Sequence, residues 1–180
     1  MPSHRAPPGD RQRHAVQSRH VTGMITVTSR MRPPDFTLSL AATEMAVRAA
    51  LANLRTCLAA RKMPPDLLST VELALAEALN NIVEHAYAPD RPGEIRLAVV
   101  LTRDRLRCTL RDRGTPLPDM ALPDDDPPDP DVARDTLPEG GFGWFLIRHL
   151  TDGLCYARTG DENILTLEFT FDARKNNHDV

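Results

Sequence analysis

The chain has 180 residues, of which 41% are hydrophobic and 26% charged, and its formal net charge is −3. This composition is typical of a globular protein, and the near-neutral balance argues against a surface that binds nucleic acid throughout. No apolar run approaches the roughly 18 residues of a membrane span, and no pair of cysteines has the C-x-x-C spacing. We therefore expect a cytoplasmic protein without disulfides or zinc that contacts neither membrane nor nucleic acid directly.

Residues 1–33 contain six arginines and one acidic residue, and the first 23 of them show neither helical nor strand periodicity. This pattern predicts a disordered basic arm that lacks the apolar core of a secretory signal. Such an arm either contacts an acidic partner or is an extension without a role. The folded domain is expected over residues 34–173, followed by a short tail at 174–180.

The ordered chain begins with an apolar alternation over residues 36–40, which predicts a half-buried strand. A helix is predicted from Thr43, as its N-cap, to Arg61, and a second helix is predicted from Pro65 to His85 or Tyr87. The later segments are a hairpin (95–101 and 106–111), a long loop rich in proline and acidic residues (about 113–139), a helix (142–152) and two strands (154–158 and 163–171). This order predicts an α+β two-layer sandwich, with helices on one face of a mostly antiparallel or mixed sheet.

Three short motifs could carry chemistry. The first is in the second helix, where Glu77, Asn81 and His85 are spaced four residues apart and share one side. A carboxylate and a carboxamide one turn apart could serve a site for phosphate and metal, because Asn offers a neutral oxygen to Mg²⁺ and Glu can accept a proton. The alternative is an ordinary solvated helix face, with His85 as a packing residue.

The second motif, Asp112-Arg-Gly114, ends the second strand of the hairpin. An Asp at a strand end can accept a hydrogen bond from a ligand amine, and Gly allows the backbone close approach. The same residues are also common in plain turns. The third motif places Gly140, Gly141 and Gly143 directly before an apolar helical run, which suits a phosphate cradle at a helix N-terminus or, alternatively, a hinge without a ligand.

The order of the three motifs over residues 35–172 resembles the ATPase superfamily of gyrase, the heat-shock chaperone, histidine kinases and mismatch-repair proteins. Two segments resemble one branch in particular, the anti-sigma-factor serine-protein kinases. They are Glu77–Tyr87, which is similar to that branch's N-box, and Gly140–Leu150, which is similar to its second glycine box.

This resemblance implies a role for each motif residue in binding ATP and Mg²⁺. Glu77 would be the catalytic carboxylate that activates a serine hydroxyl, and Asn81 would be the Mg²⁺ ligand. Asp112 would accept a hydrogen bond from the adenine amino group, and Gly114 would let the backbone approach the base.

At the second glycine box, Gly141 and Gly143 would cradle the phosphates, with Gly140 as the hinge of a lid. Pro116 departs from the superfamily's first glycine box, where a second Gly is common. The acidic run Asp124–Asp131 in the lid would repel phosphate, so it is either a solvated loop or a partner contact.

The resemblance also implies a function and partners. The chain is expected to be an anti-sigma factor that sequesters a sigma factor and phosphorylates an anti-anti-sigma partner of the STAS type, acting as a homodimer. Two alternatives stay open: a non-catalytic binding module that depends on nucleotide, and a detached histidine-kinase catalytic domain. His4, His14 and His20 lie in the unpatterned arm, which disfavours the second alternative.

Overall fold

The computed structural model describes residues 33–123 and 141–172, which lie in one compact unit. The predicted basic arm (apart from Pro33), most of the predicted lid, the hinge residue Gly140 and the tail lie outside these residues. The α-helices and strands in chain order are β1 (Phe36–Ala41), α1 (Glu44–Ala60), α2 (Pro65–His85), β2 (Glu94–Leu101), β3 (Arg105–Asp112), α3 (Gly141–Leu150), β4 (Gly153–Thr159) and β5 (Glu162–Thr170).

The strands form one five-stranded sheet in the order β1-β2-β3-β5-β4, and every neighbouring pair is antiparallel. Alternate residues of each strand face a single hydrophobic core that they share with the three helices. In β3, for example, Leu106, Cys108 and Leu110 are fully buried, as their alternation predicts. The predicted α+β sandwich with helices on one face of the sheet is therefore confirmed.

Local sequence signals account for most of the element boundaries. The Thr43 hydroxyl accepts a hydrogen bond from the backbone N–H of Ala46 at 3.4 Å, which caps α1 as expected. Pro65 occupies the first position of α2, where its missing N–H costs nothing. The third helix ends at Leu150, two residues earlier than predicted, because Asp152 already bonds to β5: its N–H donates to the carbonyl of Glu168 at 2.8 Å.

The opposite face of the sheet carries polar and charged side chains. Cross-strand ion pairs join Arg107 to Glu168 and Arg111 to Glu162, each at 2.7 Å. In the core, by contrast, burial raises the pKa of the Cys108 thiol to about 12, so this thiol stays neutral and unreactive at physiological pH.

Across the described ranges, none of the helices is long and apolar enough to cross a bilayer.

Candidate nucleotide-binding site

The start of α3 covers Glu77 and Asn81, two of the three residues on the polar side of α2. Glu77 and Asn81 are half-buried. A Cβ atom built on Gly143 would lie 3.1 Å from Oε2 of Glu77 and 3.5 Å from Oδ1 of Asn81. The first turn of α3 therefore approaches both polar side chains closely, and a side chain at position 143 would require Glu77 to shift by a few tenths of an ångström. The alternative that these residues form an ordinary solvated helix face is therefore wrong for Glu77 and Asn81. His85, by contrast, is exposed.

The carboxamide of Asn81 is a polar group that lacks a protein partner. Its Nδ2 is buried and has no hydrogen-bond partner among the residues that the structure describes. A buried amide without a partner costs free energy, and such groups are usually satisfied by a ligand, an ion or water. The Asn81 carboxamide is therefore positioned to form a hydrogen bond with a polar ligand.

Asp112 lies at the last position of β3, on the row that faces the core. It is only 6% exposed, and its register partner on β5 is Asn163, which is 4% exposed. One carboxylate oxygen, Oδ1, accepts hydrogen bonds from the Gly114 N–H at 2.8 Å and from Nδ2 of Asn163 at 2.9 Å. The carboxylate is thus desolvated but held by two donors, as a buried charge requires.

A cavity of about 480 Å³ joins these elements, with Asn81 and Asp112 both in its wall. Most of the lining is apolar, and the side chains that contribute to it include Ile82, Pro116, Leu117, Trp144 and Leu165. A largely apolar cleft with a few polar groups is typical of a binding site for a small molecule or cofactor. His85 also lines this cavity.

Gly114 contacts the end of α2. A Cβ atom on Gly114 would lie 2.4 Å from the carbonyl oxygen of Ala86, and the next N–H, that of Thr115, donates to the same oxygen at 2.9 Å. The backbone at Gly114 therefore packs directly against the end of α2, which leaves no space for a side chain at this position. Its predicted approach to a nucleotide base stays a prediction.

Tyr87 reinforces this junction between α2 and β3. Its hydroxyl accepts a hydrogen bond from the Arg113 N–H at 2.9 Å. Partial burial is the main cause that raises the pKa of the Tyr87 phenol, so the hydroxyl is protonated at neutral pH. The junction positions Asp112, one residue before Arg113, against the end of the helix that carries Asn81.

The described residues contain no cluster of three or more His, Cys, Asp and Glu side chains that could hold a metal by themselves. Mg²⁺ is usually held by one or two protein oxygens together with the phosphates of a nucleotide, and it keeps several waters. The oxygen of Asn81 is the group in this site that fits that role.

The structure brings together most of the residues predicted from the sequence. Glu77, Asn81 and Gly143 meet at the interface of α2 and α3, and Asp112 shares a cavity with Asn81. Gly141 is the first residue of α3, one residue before the predicted start of this helix, and Gly140 lies outside the described residues.

Local sequence patterns gave no role to Asn163, which donates a hydrogen bond to Asp112, or to Tyr156 and Arg158, which donate hydrogen bonds to Asn163. The period-2 pattern of β5 contained a signal for the first of them. Asn163 has the same parity as the buried residues Leu165 and Leu167, so it is a polar side chain on a core-facing row.

The fold and the site together define a histidine kinase-like ATPase domain. The chain matches this family over residues 40–169 and belongs to it. In the solved structures, the RsbU and RsbW domains of Rv1364c from Mycobacterium tuberculosis share the fold, with a TM-score of 0.53 at 24% identity over 76% of this chain and 31% of that one.

Curated relatives narrow the similarity to one group. The serine/threonine-protein kinase BtrW of Bordetella bronchiseptica is 39% identical over 101 residues, which are 54% of this chain and 67% of BtrW. The serine-protein kinase RsbW of Bacillus subtilis is 34% identical over 88 residues, which are 48% of this chain and 55% of RsbW. The aligned segments thus span between about half and two thirds of these relatives.

Proposed function

We propose that this protein is an ATP-dependent serine-protein kinase that acts as an anti-sigma factor by partner switching. The main support is that Glu77 and Asn81 meet the glycine-led start of α3 next to a cavity that also contains Asp112. This arrangement provides a neutral oxygen ligand and an acceptor for an amine in the wall of one cleft, with a proton acceptor beside Asn81 at the start of α3. The names of the relatives, which are serine-protein kinases, agree with it.

Each residue has a role that follows from its chemistry. Asp112 accepts a hydrogen bond from the exocyclic amine of adenine, and the apolar walls of the cavity cover the base. The N–H groups at the start of α3, including that of Gly143, donate to the phosphates, and the positive end of the helix dipole favours their charge. Asn81 would hold Mg²⁺, which would neutralise part of the phosphate charge.

Glu77 acts on the acceptor. Its carboxylate orients the serine hydroxyl of the protein substrate and accepts its proton as the hydroxyl oxygen attacks the γ-phosphorus. The bond from the γ-phosphorus to the bridging oxygen breaks, and the products are phosphoserine and ADP. Gly143 keeps α3 close to Glu77, so the phosphates held by α3 lie next to the proton acceptor.

The partners follow from the same proposal. The phosphate acceptor is an anti-anti-sigma protein of the STAS type, and the sequestered protein is a sigma factor that is released when unphosphorylated STAS protein competes for the kinase. The protein acts as a cytoplasmic homodimer, and it contacts neither nucleic acid nor membrane directly.

A phosphotransfer assay tests the proposal. The full chain is incubated with radiolabelled ATP, Mg²⁺ and each purified STAS-domain protein of its native cell. We expect one STAS protein to gain a phosphate that survives acid, because phosphoserine is acid-stable and phosphohistidine is not. Transfer of an acid-labile phosphate supports a histidine-kinase domain instead. ATP binding without transfer to any STAS protein supports the non-catalytic module and contradicts the proposal.

Replacing Asp112 with Asn is expected to weaken ATP binding by about 1–3 kcal/mol, which is the range for losing a hydrogen bond to a charged group. Titration calorimetry with Mg-ATP measures the change. Asp104→Asn is a matched control, because Asp104 lies in the turn at the opposite end of β3. Equal ATP affinities in wild type and Asp112→Asn would remove Asp112 from the site.

A further inference from the structure

Asn163 holds the carboxylate of Asp112 in one orientation. The two residues are directly opposed in the register of β3 and β5, and both are almost fully buried. The Asn163 amide and the Gly114 N–H both donate to Oδ1 of Asp112. No described residue donates to the other oxygen, Oδ2. Oδ1 is therefore fully engaged by the protein, and Oδ2 is left for a ligand amine.

The Asn163 side chain is itself held at both ends. Its Oδ1 accepts hydrogen bonds from the Tyr156 hydroxyl at 2.8 Å and from the Arg158 guanidinium. Its Nδ2 also donates to the carbonyl of Gly114 at 3.2 Å. Reversing the carboxamide would set its oxygen against the Asp112 carboxylate and its NH₂ against a guanidinium. Each alternative contact is repulsive, so the surroundings permit one orientation.

Tyr156 extends this network to the first part of the predicted lid. The Tyr156 hydroxyl accepts a hydrogen bond from the Leu117 N–H at 3.2 Å while it donates to Asn163. Tyr156, Leu117 and Asn163 all line the cavity that contains Asp112. One continuous set of hydrogen bonds therefore runs from the cavity wall to the carboxylate.

We propose that Asn163, held by Tyr156, is a positioning residue that makes Asp112 select nucleotides with an exocyclic amine on the base. The proposal rests on the proposed binding of ATP and adds residues that determine base specificity. Asn163 acts through Asp112: with Oδ1 occupied and the carboxylate unable to rotate, Oδ2 presents one acceptor to the base. A base with an exocyclic amine donates a hydrogen bond to Oδ2, whereas a base with a hydrogen atom in place of the amine does not.

Binding of two nucleotides by the full-length protein tests this inference. Mg-ATP is compared with Mg-purine riboside triphosphate, which lacks only the amino group, in wild type and in Asn163→Leu. We expect wild type to prefer ATP by about tenfold or more, the ratio for one hydrogen bond to a charged group. In Asn163→Leu the preference should fall below about threefold, while the affinity for the analogue stays within about threefold of wild type. A merely structural defect would weaken both nucleotides alike.

Two further variants make the result decisive. Tyr156→Phe keeps the ring and removes one donor to Asn163, so the preference should fall by about two- to fivefold, and this variant decides the matter if Asn163→Leu does not fold. Thr166 lies on the same strand as Asn163 but faces the other side of the sheet. The control variant Thr166→Val should therefore retain the full preference for ATP. If both Asn163→Leu and Tyr156→Phe prefer ATP over the analogue as strongly as wild type, the inference is overturned, and the proposed binding of ATP is unaffected. Wild type that binds neither nucleotide contradicts the proposed function itself.

Discussion

Replacing Glu77 with Gln is expected to slow phosphoryl transfer to the STAS acceptor by about 10²–10⁴-fold, the range for removing a general base. Glutamine has nearly the same shape as glutamate, so it keeps the packing against Gly143. A Cβ atom built on Gly143 would lie 3.1 Å from Oε2 of Glu77. The glutamine side chain cannot accept the serine proton. ATP affinity should remain within about threefold of wild type, because the predicted nucleotide contacts are made by Asn81, Asp112 and α3.

Single-turnover transfer with saturating Mg-ATP measures the rate, and calorimetry measures the affinity. Glu84→Gln is the matched control, because Glu84 is an exposed glutamate on the same helix, seven residues further along than Glu77. A Glu77→Gln protein that transfers phosphate at the wild-type rate would show that another group accepts the proton. A large parallel loss of ATP binding would place Glu77 in nucleotide binding instead of catalysis.

Gly114→Ala is expected to lower the free energy of unfolding by about 3 kcal/mol or more, at the upper end of the range for overpacking a rigid site. The added Cβ would lie 2.4 Å from the carbonyl oxygen of Ala86 and 2.7 Å from its Cβ. Both atoms belong to the end of a helix and cannot move as a flexible side chain would. The strand end must shift, and with it Asp112, so nucleotide binding should weaken as well.

Urea unfolding followed by circular dichroism measures this effect. Gly160→Asn is the comparison, because Gly160 adopts a left-handed φ of 62° with no atom within 4 Å of an added Cβ. Asn tolerates this conformation, so the change should cost less than about 1 kcal/mol. Equal stabilities of Gly114→Ala and wild type would mean that β3 and α2 separate at little cost.

Local patterns were sufficient to predict the elements of this fold. The alternation of Leu106, Cys108 and Leu110 identified one buried face of a strand, and Thr43 marked the start of a helix. Glu77 and Asn81 were placed on one side of a helix by their four-residue spacing alone. Such predictions succeed because backbone periodicity is a local property, which neighbouring residues determine.

The contacts between distant segments were not available from local patterns. The sequence suggested that Asp112 is either a ligand acceptor or a turn residue, and the burial of its carboxylate opposite Asn163 became visible only in the pairing of β3 with β5. That pairing joins residues 51 positions apart in the chain. Likewise, nothing near Gly114 in the sequence indicated that Ala86 would occupy the space of its missing side chain.

The sequence by itself determined the class of fold, the order of the elements and the residue types that could bind a nucleotide. It did so because propensities, caps and hydrophobic periods act over a few residues. Only the tertiary structure decided that α3 covers Glu77 and Asn81 and that Asn163 donates a hydrogen bond to Asp112. Those features depend on which surfaces pack together, since burial and hydrogen-bond partners belong to the assembled core.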